Sequence, residues 1–220
     1  MLKGIFFDAH GVLYTRHETT TPYARRLLAA RGYPTEVSST DRERLASLRS
    51  QASVGQVSAT VYWDEFLQAH GVSDGAEREG IAARIMERPH EVFEIPGASS
   101  ALRALKHRGF ILGIITDTMY PLEWKMAWLA RIGVAEFIDA VACSSALGAH
   151  KPDPAIYIEA LRQTSLAPAD SVFVGHEARE LDGGRRVGMT TVAVNYNPGT
   201  IADYYVDSLP DLLALPIFQR

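Results

Sequence analysis

The chain has 220 residues, 47% of them hydrophobic and 22% charged, with a formal net charge of −4 and one cysteine. This is enough apolar matter for one α/β domain with a small insertion. It gives no basic footprint for nucleic acid and no internal disulfide. No stretch approaches the roughly 18 apolar residues that cross a bilayer, and no leader-like basic and apolar run opens the chain, so a soluble, cytoplasmic protein without membrane partners is expected.

Residues Lys3 to Phe7 form a short apolar, β-prone run that stops at Asp8, as a strand buried on both faces does. Open α/β sheets place ligands at such carboxyl ends, so Asp8 reads either as a turn residue or as a nucleophile. Tyr14 to Thr21 reads as a linker. Four helical patterns follow, over residues 22–31, 41–51, 60–70 and 74–88, punctuated by Gly32, Gly55, Gly71 and Pro89. Nothing between residues 15 and 91 looks like a strand, so this segment reads as an all-helical insertion. Residues 1–14 and 92–220 then make up the core. In that second part, helical patterns over 98–108, 121–132, 154–163 and 180–187 alternate with strand-like runs over 110–115, 137–143, 171–174 and 191–194. Strands separated by helices imply right-handed βαβ units and a doubly wound, Rossmann-like parallel sheet.

Four of the strand ends carry polar chemistry: Asp8 and His10, then Thr116, then Lys151, then His176 to Glu180. Singly these are a turn residue, a helix cap, a solvated lysine and a loop histidine. Together they make a site for an anionic group. Cys143 reads as a small buried hydrophobe, and Trp124 and Trp128, four apart, as packing residues rather than a ligand platform. Tyr62, Trp63, Arg42 and Arg49 of the insertion read as packing or solvent-facing side chains.

The order and spacing of these motifs resemble the haloacid dehalogenase-like hydrolases. Residues Phe6 to Leu13 resemble the first motif, Ile114 to Asp117 the second, Lys151 to Pro154 the third, and Val172 to Glu180 followed by Gly188-Met189 the fourth. The insertion is similar to the helical cap of that family. The resemblance implies that Asp8 attacks the substrate and forms an aspartyl intermediate that water hydrolyses. It implies that Thr116, Asp117 and Lys151 bind the substrate's anionic group, with Lys151 also keeping Asp8 ionised, and that the cap closes over a small anionic molecule. It further implies Mg²⁺ held by Asp8 and by the positions of His176 and Glu180.

Two positions depart from the family pattern. His10 stands where its phosphatases carry a general acid/base Asp; an ordinary imidazole could take that role, and activity is expected to fall as His10 or His176 changes protonation near pH 6 to 7. His176 stands where an acidic metal ligand is usual, and imidazole suits magnesium poorly. If both histidines carry charge, the site nears neutrality without a metal. The expected function is hydrolysis of a small phosphomonoester. The alternatives are a metal-independent hydrolase similar to the 2-haloacid dehalogenases, or a catalytically impaired binding or regulatory protein. Oligomeric state is open.

Overall fold

The computed structural model describes residues 2–219. Strand β1 (Gly4–Phe7) is followed by the two-residue strand β2 (Tyr14–Thr15). Helices α1 (Thr20–Ala29), α2 (Ser39–Ser53), α3 (Ala59–Ala69) and α4 (Gly75–Glu87) come next, and then β3 (Phe93–Glu94), which pairs antiparallel with β2. The remainder alternates α5 (Ala98–His107), β4 (Ile111–Thr116), α6 (Leu122–Arg131), β5 (Ala140–Cys143), α7 (Ser144–Leu147), α8 (Pro154–Thr164), β6 (Ser171–Gly175), α9 (Ala178–Arg186), β7 (Thr190–Val194) and β8 (Tyr204–Val206).

The main sheet runs β5-β4-β1-β6-β7-β8, with every pairing parallel. The α/β architecture expected from the alternation is therefore observed. Side chains alternate across β1: Ile5 and Phe7 pack on one face and Phe6 on the other, and both faces are buried in apolar clusters. One cluster joins that face to α5, α6 and the helices between β2 and β3; the other joins Phe6, Ile115 and Phe173 to α8 and α9. The chain steps from β1 towards β4 and β5, then returns to β6 on the opposite side of β1. Such a reversal leaves a crevice at the strands' carboxyl ends, and Asp8 and His176 follow the two strands that border it.

The helices between β2 and β3 have local reasons to start where they do. Ser38, Ser58 and Asp74 each accept a backbone N–H from the residue three positions on, satisfying donors that an α-helix leaves unpaired. Pro22 falls in the first turn of α1, where its missing N–H costs nothing.

Several expectations need correction. The segment read as a linker contains β2, and the region around residue 93 contains β3; strands this short carry no usable periodicity. The strand expected from Phe137 starts at Ala140, because residues 135–137 form a 3₁₀ turn. Asp139 exchanges bonds with Leu112 through both its N–H (2.7 Å) and its carboxylate (2.8 Å), anchoring the entry to β5. Helix α7 and strand β8 had no counterpart in the sequence reading. Cys143 is a buried free thiol, as expected.

Candidate active site

Asp8 directly follows β1 and is buried, its backbone N–H bonded to the Val174 carbonyl at 2.9 Å. The chain then turns at Gly11, whose φ of +85° favours glycine. A Cβ there would lie 2.8 Å from His176 Nε2, so Gly11 is needed both for the turn and to admit the imidazole. The first and fourth strand-end motifs thus fit against each other at this point.

Lys151 is wholly buried, and its ammonium bonds Asp8 Oδ1 and lies 2.7 Å from Glu180 Oε1. Burial opposes its charge, yet Asp8, Glu180 and Asp117 outweigh that effect and hold its pKa above the ordinary lysine value. The lysine is therefore a permanent counter-charge. Asp117 takes the Lys151 backbone N–H at 3.0 Å on Oδ1, and its Oδ2 lies 3.9 Å from Arg179. The Asp117 carboxylate, expected to meet the substrate, is thus occupied in fixing the lysine loop. Thr116 is buried at the end of β4, beside β1.

His176 Nδ1 sits 3.5 Å from Asp8 Oδ2 and 3.8 Å from Glu180 Oε2. Neither this nitrogen nor that glutamate oxygen has a hydrogen-bond partner, although both are buried. Buried polar atoms rarely stay unpaired. One ligand atom from each of Asp8, His176 and Glu180 falls within 4.8 Å of the others, so the cluster could hold a metal ion. Two carboxylates and an imidazole fit a divalent cation, but the nitrogen donor suits manganese or zinc better than magnesium. Burial, followed by the charge of Asp8, pushes the Glu180 carboxyl up to about 7, against the pull of Lys151.

His10 does not carry the charge that the sequence suggested. Burial first and Arg16 next lower its pKa to about 4, with Lys125 and His176 adding to the fall and Asp8 opposing it. A neutral His10 does not help to neutralise the site of the free protein. Its Nε2 is buried and unpaired, and its ring meets Tyr14 edge-on at 5.8 Å between centroids.

Above these residues lies a cavity of about 560 Å³, a size suited to a small molecule. His10, Asp117, Thr118 and His150 border it from the strand ends, and Thr20, Arg49 and Trp63 from the helices between β2 and β3. Arg49 and Trp63, read as packing or surface residues, thus line it, whereas Tyr62 is buried and Arg42 exposed as read. Trp128 also lines it, together with Tyr14, Arg16 and Lys125, which the sequence reading missed. Lys125 lies on an amphipathic helix, where a lysine reads as solvated; only the fold places it beside Tyr14, 111 residues earlier.

A family model described as haloacid dehalogenase-like hydrolase matches residues 5–194. The chain belongs to that family. It is 26% identical to the glyceraldehyde 3-phosphate phosphatase of Methanopyrus kandleri, covering 97% of this chain and 96% of that protein. It is 30% identical to the enzyme of the same name from Methanothermobacter thermautotrophicus, over 89% and 86%. In fold it is similar to a 2-haloacid dehalogenase from Pseudomonas syringae pv. Tomato DC3000, with a TM-score of 0.74, 22% identity and 97% of both chains covered. No helix among the described residues is long and apolar enough to cross a membrane.

Proposed function

We propose that this haloacid dehalogenase-like hydrolase is a phosphatase of small phosphomonoesters and that Asp8 is its covalent nucleophile. The observation that carries this reading is the wholly buried Lys151 ammonium, held between Asp8 and Glu180 at the strand ends. It supplies a fixed positive charge beside a carboxylate, which is what a nucleophile approaching a phosphate dianion needs. Phosphatase relatives that match most of the chain favour phosphorus over carbon as the atom attacked.

In the first step an Asp8 oxygen bonds to phosphorus and the ester P–O bond breaks. In the second, water bonds to phosphorus, the Asp8–phosphorus bond breaks, and phosphate leaves. Thr116 binds a phosphoryl oxygen, Lys151 binds another, and Asp117 positions Lys151. His10 is neutral in the free protein, and an arriving phosphate adds the negative charge that raises its proton affinity. The imidazole takes up a proton with the substrate, gives it to the leaving oxygen, and recovers one from the attacking water. Asp8, His176 and Glu180 would hold a divalent cation, which when bound neutralises charge on the phosphoryl oxygens. Residues 15–91, with the helices between β2 and β3, act as a cap that excludes water from the cavity.

The loss of one carboxylate where His176 stands favours one competitor, metal-free attack on the carbon of a short haloacid. Incubation with an aryl phosphate and with a chlorinated short acid, each with divalent metal or chelator, separates the two. The proposal expects phosphate release, lowered at least about 10³-fold in Asp8→Asn. Halide release that survives chelation, without phosphatase activity, would contradict it.

A further inference from the structure

The cavity has a cationic end that the chemistry at Asp8 does not use. Lys125, on α6, is 1% exposed, and its ammonium donates to Tyr14 Oη at 2.7 Å. That ammonium lies 5.2 Å from the Tyr14 ring centre and 5.0 Å from the Trp128 ring centre. The Arg16 guanidinium approaches the same two rings, at 5.1 and 4.6 Å, while donating to the Pro89 carbonyl. Two cations therefore share one pair of aromatic rings. Arg49 adds a third across the cavity, bonded to the Thr21 hydroxyl at 3.1 Å. None of the three forms an ion pair among the described residues. The carboxylate on the cavity wall, Asp117, is engaged by Arg179 and the Lys151 N–H.

A buried ammonium without a carboxylate is costly. Cation–π contact and one phenol oxygen offset that cost only in part. The contacts of Lys125 and Arg16 also do not overlap with those of Asp8, whose side-chain neighbours are Lys151 and the His176 imidazole. His10 lies between the two groups, feeling Asp8 as a favourable charge and Arg16 and Lys125 as unfavourable ones.

We infer that Lys125 and Arg16 form a second anion subsite, so that the substrate carries another anionic group, a carboxylate or a second phosphate, at the end remote from the ester attacked by Asp8. The inference rests on the phosphatase reading and narrows its substrate class. A short, doubly anionic molecule fits the cavity, with its ester at the wall formed by His10 and Asp117 and its other end at the aromatic pair. Arg16 offers the planar fork that matches either oxyanion.

The test compares kcat/KM for 3-phosphoglycerate and glycerol 3-phosphate, and for 2-phosphoglycolate and ethyl phosphate. Within each pair only the remote carboxylate differs in charge; 1,3-propanediol bisphosphate replaces it by phosphate. A charged hydrogen-bonding subsite predicts a preference of about 10- to 100-fold for the anionic member of at least one pair, or for the bisphosphate. Which of them gains identifies the group. Lys125→Met and the half-buried Arg16→Gln should each reduce that ratio to a few-fold. Equal kcat/KM across all the esters in the wild-type enzyme overturns the subsite and leaves the phosphatase reading intact. No hydrolysis of any ester overturns that reading instead, and the subsite is then judged by calorimetry with unreactive phosphonoacetate and methylphosphonate. Equal affinity for these two overturns it, and a preference of at least about tenfold for phosphonoacetate, lost in Arg16→Gln, supports it.

Discussion

His10 stands where the family pattern leads one to expect a carboxylate, and its surroundings resist any further positive charge. Its lowered pKa has a consequence for stability. Above pH 6.5 the imidazole is neutral in both the folded and unfolded states. As pH falls from 6.5 towards about 4, only the unfolded chain takes the proton, so stability drops by about 3 kcal/mol and then levels. Glu180 acts in the opposite sense: its folded carboxyl keeps its proton up to about 7 while the unfolded one ionises near 4.5, so stability falls as pH rises through that range. Between pH 4.5 and 6.5 the two slopes oppose each other. Urea unfolding in chelator should find the wild type flatter than either variant. His10→Asn should gain stability as pH falls from 7 to 4.5, and Glu180→Gln should lose it. A His10→Asn profile parallel to the wild type would mean that the imidazole is not held neutral.

His176 sets the metal preference by the same local logic. Its nitrogen and two carboxylates should bind Mn²⁺ or Zn²⁺ ahead of Mg²⁺. His176→Asp makes the set all-oxygen and should shift the calorimetric Mn²⁺-to-Mg²⁺ affinity ratio about tenfold towards magnesium. An unchanged ratio would place any bound metal elsewhere.

At the scale of elements, the strands of the main sheet explain why so much of the site could be read early. Apolar runs such as Gly4–Phe7 and Ile111–Thr116 stop abruptly at polar residues, and in a parallel sheet those stops share one edge. Asp8, Thr116 and His176 were legible for that reason, and Lys151 and Glu180 from the spacing of the motifs that follow β5 and β6. Strands β2, β3 and β8 were not, because two or three residues cannot show a period of two. The contact between helix layers was equally hidden. Gly55, after α2, has a φ of +72°, and a Cβ there would lie 2.1 Å from the Ser145 carbonyl oxygen at α7. Gly55→Ala should therefore push α2 away from the strand ends. The expected result is a KM raised about tenfold, with kcat less affected, since strain of this kind is worth about 1–3 kcal/mol. An unchanged KM would separate this contact from substrate enclosure.

Over the whole molecule, the net charge of −4 conceals a cavity bordered by Arg16, Arg49, Lys125 and Arg179. Composition averages the charges, helix periodicity assigns Arg49 and Lys125 to solvent, and Arg16 falls in a loop that shows no periodicity. Only the folded chain brings Tyr14, Trp128 and Lys125 together, so the proposed substrate subsite stayed out of reach of the sequence while the candidate reacting groups did not. In the proposed reading Asp8, paired with Lys151, attacks a substrate held in this electropositive cavity.

The most direct test of that account is to trap the covalent intermediate. Wild-type protein turning over a phosphomonoester is quenched in acid within one turnover, digested, and analysed by mass spectrometry for a phosphoryl group on the peptide carrying Asp8. The account predicts the adduct on Asp8, its disappearance when turnover is allowed to finish, and its absence in Asp8→Asn. Steady phosphate release with no adduct on Asp8, or undiminished release by Asp8→Asn, would contradict it.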